Sequence, residues 1–381
     1  MGAAEAPGYL FDGRVERCSS CLSAGGSILG GSLLEVFRAI PGECEAGSGP
    51  TCTSAGGVAC RRSHQETPQV RPLPEQAARP SGGPDPRRRW WALCVAGLVV
   101  LVASYVGFVL TATGQALENS ALRGADQVSA DALAEADTTL HGITVASLAV
   151  ACLLIGVVGL LRRSVALAVA AVGVIAAGQV VTQGLKRFVL PRPQLVEASR
   201  DYTGNSFPSG HTTIALTVLA AVLIVVPSRW RGVAMFVVAW WAVGIGAYTL
   251  TAKWHRFSDT LGAAGVTLVV ASLAALWLHR RGLVRPVEGP PRRWRVVLVV
   301  APLATLAAVS TALGLLLLVA GGDLLARDPV TEYNAYLALQ VLAGAGSVVT
   351  ALALWWSWHR LEVVPARARR PVAVEPVASS D

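Results

Sequence analysis

The chain has 381 residues, 53% of them hydrophobic and only 15% charged, with a mean hydropathy of +0.52. Soluble domains carry about 25% charged residues, so this composition excludes a string of soluble domains and indicates a membrane protein. The net charge of +8 sits in short basic clusters between long apolar runs, a topology pattern that argues against a nucleic-acid partner.

Residues 1–86 are rich in Gly, Ser, Pro and Ala without sustained periodicity. They read as a disordered N-terminal tail, with an over-extended start as the alternative. No basic n-region precedes an apolar core, so no signal peptide is expected. Cys18 and Cys21 form a lone C-x-x-C in this tail. Without a second ligand pair at suitable spacing they read as unpaired thiols and not as a zinc site.

Eight uncharged apolar stretches follow, at about 90–110, 142–161, 164–185, 212–226, 233–250, 260–278, 296–320 and 334–358. About 20 helical residues cross a ~30 Å hydrocarbon core, so the fourth stretch is short. Backbone polar groups in lipid must be satisfied internally, which makes these runs helices. The expectation is an all-α polytopic membrane bundle of about eight spans. Its parts are a six-span core at 87–282, two further transmembrane helices at 283–360 and a disordered cytoplasmic tail at 361–381.

The arginines set the orientation. Basic residues precede the first span (Arg87, Arg88, Arg89) and lie between the second and third (Arg162, Arg163), the fourth and fifth (Arg229, Arg231) and the sixth and seventh (Arg280, Arg281, Arg285). With eight spans all fall on one side, which the positive-inside rule makes cytoplasmic. The loop 114–141 on the other side is acidic, with Glu118, Asp126, Asp131, Glu135 and Asp137 against Arg123. The chain is therefore expected in the plasma membrane, multi-pass, with both termini cytoplasmic.

Three outer-side segments break the pattern. Residues 186–193 hold Lys186, Arg192 and Pro193; residues 205–211 hold Pro208, Ser209, Gly210 and His211; residues 253–259 hold Lys253, His255, Arg256 and Asp259. The fourth span descends from His211 and the fifth returns to His255, so both histidines reach one membrane depth. The third span delivers Lys186 and Arg192 to the same face. This set suits phosphoryl transfer. Lys186 and Arg192 neutralise phosphate oxygens. The N–H groups of Ser209 and Gly210 at a helix N-terminus add donors, and Gly210 admits close approach of a ligand. A neutral His attacks phosphorus while an Asp four residues on holds its other nitrogen, the spacing of His255 and Asp259. A second, protonated His donates to the leaving oxygen. Of the chain's basic residues only two are lysines, Lys186 and Lys253, and both lie in these segments. The remaining basic residues are Arg, a bias that fits a GC-rich genome.

These segments resemble the three motifs of the type 2 phosphatidic acid phosphatase family, the lipid phosphate phosphatases, in a bacterial membrane member. The resemblance covers about 90–280. It implies a six-helix core with an extracytoplasmic site and no metal or other cofactor. It also implies His255 as the nucleophile of a phosphohistidine, oriented by Asp259, and His211 as the general acid. Lys186, Arg192, Ser209 and Gly210 would hold the phosphate. Two positions depart from the family pattern. Five residues, not six, separate Lys186 from Arg192, and Thr249 stands where the third motif has Arg. Arg256 or Lys253 is expected to replace that cation.

The implied reaction is hydrolysis of a lipid phosphate monoester or pyrophosphate at the outer leaflet, with phosphatidic acid, phosphatidylglycerol phosphate or a polyprenyl pyrophosphate as substrate and the bilayer as partner. The alternatives are a lipid phosphotransferase with the same site, a vanadate-dependent haloperoxidase, which eight spans disfavour, and a non-enzymatic transporter or scaffold. The spans lack the mid-membrane charges that mark an ion pathway. His141 reads as structural, and Glu197, Arg200 and Asp201 as possible headgroup contacts between the first two motifs.

Overall fold

The computed structural model of the protein describes residues 85–197, 204–287, 293–320 and 327–364. The expected N-terminal tail and its cysteines lie outside the described residues, as do Arg200, Asp201 and positions 365–381. Among the described residues ten α-helices form: α1 (Pro86–Ser104), α2 (Ala112–Gly124), α3 (Ala130–His141), α4 (Val145–Leu161), α5 (Val165–Gly184), α6 (Gly210–Val225), α7 (Arg231–Thr251), α8 (Phe257–Arg280), α9 (Arg293–Ala320) and α10 (Pro329–Ser357). Strands β1 (Val284–Pro286) and β2 (Leu361–Val363) pair antiparallel, with Val284 opposite Val363. The molecule is a polytopic helical bundle.

Helix starts follow local chemistry. Thr111, Ser129, Ser164, Ser209 and Asp328 each accept a backbone N–H of the turn they precede. Thr144 and Ser147 form a reciprocal capping box. Each side-chain oxygen satisfies a donor that the first helical turn leaves without a partner.

All eight apolar stretches become helices, but not all are long enough to cross a membrane. Among the described residues six helices are, and α3 with the 17-residue α4 would make a seventh if that bent pair is one span, whereas α6 has 16 residues. For α6 the reason lies in its position. Leu216, Leu219, Leu223 and Ile224 are fully buried, and α5, α7 and α8 pack around it. Its neighbours are protein, so bilayer thickness does not set its length. Helices α3 and α4 meet at a 58° bend.

The acidic loop 114–141 is largely helical, forming α2 and α3. Glu118, Asn119 and Ser120 are buried there. Periodic apolar runs did not reveal this helix, because its buried face mixes polar Gln115, Glu118 and Asn119 with apolar Ala121 and Leu122.

Small residues set the α1–α8 contact. A Cβ on Gly97 of α1 would lie 2.7 Å from the Gly265 carbonyl oxygen, and one on Gly265 of α8 would lie 2.6 Å from the Gly97 carbonyl oxygen. The two backbones touch where neither has a side chain, as small-residue packing in membranes allows.

The arginine-rich end is tied together by specific bonds. Arg162 donates to the Val225 carbonyl (3.0 Å), the Glu362 carboxylate (3.0 Å) and the Val363 carbonyl (2.9 Å). Arg231 donates to the carbonyls of Trp358 (3.0 Å) and Leu361 (2.7 Å). The segment expected to be a disordered tail from residue 361 therefore begins as strand β2. Burial pulls the Arg162 guanidinium below its usual value, with Glu362 opposing the shift.

Candidate active site

The third motif forms the turn between α7 and α8. The His255 N–H donates to the Thr249 carbonyl (3.1 Å), and Lys253 adopts a left-handed φ of 59°. Asp259 sits in the first turn of α8 and is fully buried. Its Oδ2 accepts the Arg256 N–H (2.9 Å) and lies 3.2 Å from His255 Nδ1. An ionised carboxylate only accepts, so the shared hydrogen sits on Nδ1. Nε2 then carries the lone pair.

His211, the second residue of α6, faces His255 with ring centroids 6.0 Å apart at 61°. Its Nδ1 is buried and finds no hydrogen-bond partner among the described residues. Trp254 flanks it edge-on at 5.1 Å and packs on His141 at 4.7 Å. His141 also contacts Asp137 (3.2 Å) in an exposed position, which agrees with a structural role.

The first motif enters from α5, which ends in a π-helical turn, Leu185–Val189. The wider turn changes the phase at which Lys186 leaves the helix. Lys186 is half-buried and within electrostatic reach of Asp259 and His211. Arg192 Nη2 pairs with Glu118 (3.0 Å), while its buried Nη1 finds no partner among the described residues.

The two candidate replacement cations go to different places. Arg256 is buried; its Nη1 donates to Ser206 Oγ (3.2 Å), and Arg192, Asp259 and Glu118 are its charged neighbours. Burial, and next Arg192, pull its guanidinium below the usual value. Lys253 instead pairs with Asp126.

The second motif is locked to the third. The Ser209 N–H donates to the Asp259 carbonyl (2.9 Å), and Ser209 Oγ accepts the Thr212 N–H (3.3 Å). The Ser209 backbone donor expected for phosphate is thus occupied, and the residue acts as a helix cap and tie. A Cβ on Gly210 would meet only Gln183 Nε2, at 3.5 Å, so that face of the backbone is open. The Phe207–Pro208 peptide is cis. A Cβ on Gly262 would lie 2.6 Å from the Phe207 ring, so this glycine makes room for the segment.

Several partners of the site did not appear in the motif reading. Asn205 donates to the carbonyls of Lys186 (2.9 Å) and Leu190 (2.6 Å), joining the first two motifs. Helix α2 braces the first-motif loop with residues one turn apart. Gln115 Nε2 donates to the Pro193 carbonyl (2.7 Å), and Asn119 donates to that of Glu197 (3.5 Å). Between them, Glu118 accepts Arg192 and also the Ser258 N–H (2.8 Å). Burial pushes the Glu118 carboxyl up, against the pull of Arg192. Only the polar pattern of 115, 118 and 119 on one helix face hinted at this brace.

A multi-pass helical membrane protein here gathers an imidazole–carboxylate pair, a second imidazole and a cluster of cations at one end of its bundle. Residues 167–283 match the family model of the PAP2 superfamily, whose members are phosphatases. The match takes in α5 to α8 and all three motifs, and the resemblance to type 2 phosphatidic acid phosphatases stands on it. No curated protein and no solved structure matches the chain.

Proposed function

We propose that the protein hydrolyses a phosphate monoester or pyrophosphate of a membrane lipid at the outer leaflet through a phosphohistidine. The observation that carries this reading is the Asp259–His255 contact facing His211 across 6.0 Å. His255 Nε2 attacks phosphorus and forms a P–N bond as the P–O bond to the lipid breaks. His211, protonated, gives its proton to the departing oxygen. Water, deprotonated by His211, then cleaves the P–N bond and releases inorganic phosphate. Lys186, Arg192 and Arg256 balance the phosphate charge, with Gly210 at the N-terminus of α6 as a close backbone approach.

The outer location is supported by topology. The motif segments lie at the ends of α5 and α7 and the starts of α6 and α8. The arginine clusters lie at the opposite ends, the side expected to face the cytoplasm. Phosphatidic acid, phosphatidylglycerol phosphate and polyprenyl pyrophosphates all present the required group.

The test is phosphate release from a panel of these lipids by the purified full chain, with His255→Ala as control. Release by the wild type and its loss in the variant are expected. Equal release by both would exclude His255 as nucleophile. Transfer of the phosphoryl group to an added alcohol, without free phosphate, would favour a phosphotransferase.

A further inference from the structure

Away from the histidines, a cavity of about 290 Å³ lies in the apolar layer. Phe257, Leu261 and Leu268 of α8 form one wall, and Leu342, Val349 and Ala353 of α10 form the other. From Phe257 to Leu268 it follows α8 for about 16 Å at 1.5 Å per residue. That is roughly half of a ~30 Å hydrocarbon core, the depth of one leaflet. Val349 is 54% exposed on the side that faces lipid.

The walls offer little to water, since the two lining hydroxyls donate within their own helices. The Thr311 hydroxyl donates to the Ala307 carbonyl (2.7 Å) and the Thr350 hydroxyl to the Gly346 carbonyl (2.7 Å), each within its own helix. A bound water needs two to four polar partners, and an apolar cavity of this kind takes hydrocarbon.

The upper end belongs to the active site. Phe257 also lines the small gap that reaches Glu118, His255 and Arg256. Phe257, Leu261 and Leu342 share one apolar cluster with Leu250 and Tyr336. Phe257 thus stands between the gap at the buried cations and a largely apolar trough one leaflet deep. An anionic headgroup with an alkyl tail has the same polarity along its length.

We infer that this trough holds an alkyl chain of the lipid whose phosphate sits at His255, so that α9 and α10 form the tail-binding part of the enzyme. The inference rests on the lipid-phosphatase reading. The α8 wall lies inside the family match at 167–283, and α9 and α10 lie outside it, so the chain's own addition completes the tail site against a wall of the matched segment.

The test uses the full chain in mixed micelles. Val349→Trp and Ala353→Leu each fill the trough. Release is measured from dihexadecanoyl phosphatidic acid and from p-nitrophenyl phosphate, which has no tail. For the long-chain lipid kcat/KM is expected to fall about tenfold or more, as misfit in an apolar pocket does. For the tail-less ester it is expected to stay unchanged. Equal loss on both substrates, or no loss on either, overturns the inference.

A second measurement needs no variant. Phosphatidic acid with a diazirine in its alkyl chain should label residues 342–353 of the wild type, and unlabelled phosphatidic acid should suppress the label. Label that phosphatidylcholine suppresses equally well overturns the inference, because a bulk lipid then fills the trough. Absence of phosphate release from any substrate by the wild type instead defeats the lipid-phosphatase reading, and the labelling still decides the trough.

Discussion

Glu118 and Arg192 form an ion pair at 3.0 Å in which the Glu118 side chain is fully buried and that of Arg192 only 5% exposed. The second carboxylate oxygen accepts the Ser258 N–H at 2.8 Å. One side chain on α2 therefore fixes the first-motif arginine proposed to bind phosphate and the start of the helix that carries Asp259. Glu118→Ala would leave a buried guanidinium and a buried N–H without their acceptor. Removing one partner of a buried pair costs about 3–5 kcal/mol. Thermal unfolding in detergent should show that loss. In whatever folded fraction remains, KM should rise more than kcat falls, because the role proposed for Arg192 is to bind phosphate and not to transfer the proton. A double-mutant cycle with Arg192→Met should give strong coupling.

The same carboxyl has a pH signature. Burial pushes Glu118 up, despite Arg192 and Ser258. A carboxyl whose folded value is raised holds its proton more tightly when folded. Its stabilising contribution is complete below the unfolded value of about 4.3 and is lost as pH rises through the folded value. Glu118→Gln does not titrate and escapes that loss. The Tm of the Gln variant relative to wild type should therefore climb as pH rises above about 4. A flat or falling difference would show that the Arg192 pairing outweighs burial.

General acid catalysis by His211 predicts dependence on the leaving group. An alkoxide is a poor leaving group and needs the proton, whereas p-nitrophenolate departs without one. His211→Ala should lower kcat on a lipid phosphate by about 10²–10⁴-fold. On p-nitrophenyl phosphate the first, phosphoryl-transfer step should fall far less. Burst-phase kinetics separate that step from hydrolysis of the phosphohistidine. Equal losses in the first step on both substrates would assign His211 to binding instead of proton transfer.

The legible parts of the site were local. His255 and Asp259 stand four residues apart on one helix start, and Ser209, Gly210 and His211 are consecutive, so spacing alone revealed them. The braces were not legible. Glu118 is 74 residues from Arg192 and 140 from Ser258, and no short pattern links such positions. The fold divides in the same way. Hydropathy located every apolar helix, because lipid forces long uninterrupted runs. It missed α2, whose buried face mixes polar and apolar residues, and it could not show that the short fourth stretch, α6, is enclosed by α5, α7 and α8. The short β1–β2 ribbon has no alternating run long enough to register. For Lys253 the sequence showed a cation beside a histidine but could not show Asp126 arriving from another segment.

The α1–α8 crossing gives a prediction about the bundle itself. Gly97 and Gly265 each sit where a Cβ would strike backbone of the other helix, at 2.7 Å and 2.6 Å from a carbonyl oxygen. Backbone cannot swing aside as a side-chain tip does, so the helices must separate. Separation would also unpack Leu268 and Leu101 around the contact. Gly265→Ala should therefore destabilise the protein by about 1–3 kcal/mol, the range for overpacking a well-filled core. Gly173 in α5 is the matched control, because a Cβ there meets nothing within 4 Å. Gly173→Ala should be neutral or stabilise slightly, as replacing a helical glycine does when space allows. Thermal unfolding of the two variants in the same detergent compares them directly. Equal Tm changes would mean that α1 and α8 do not meet at this pair.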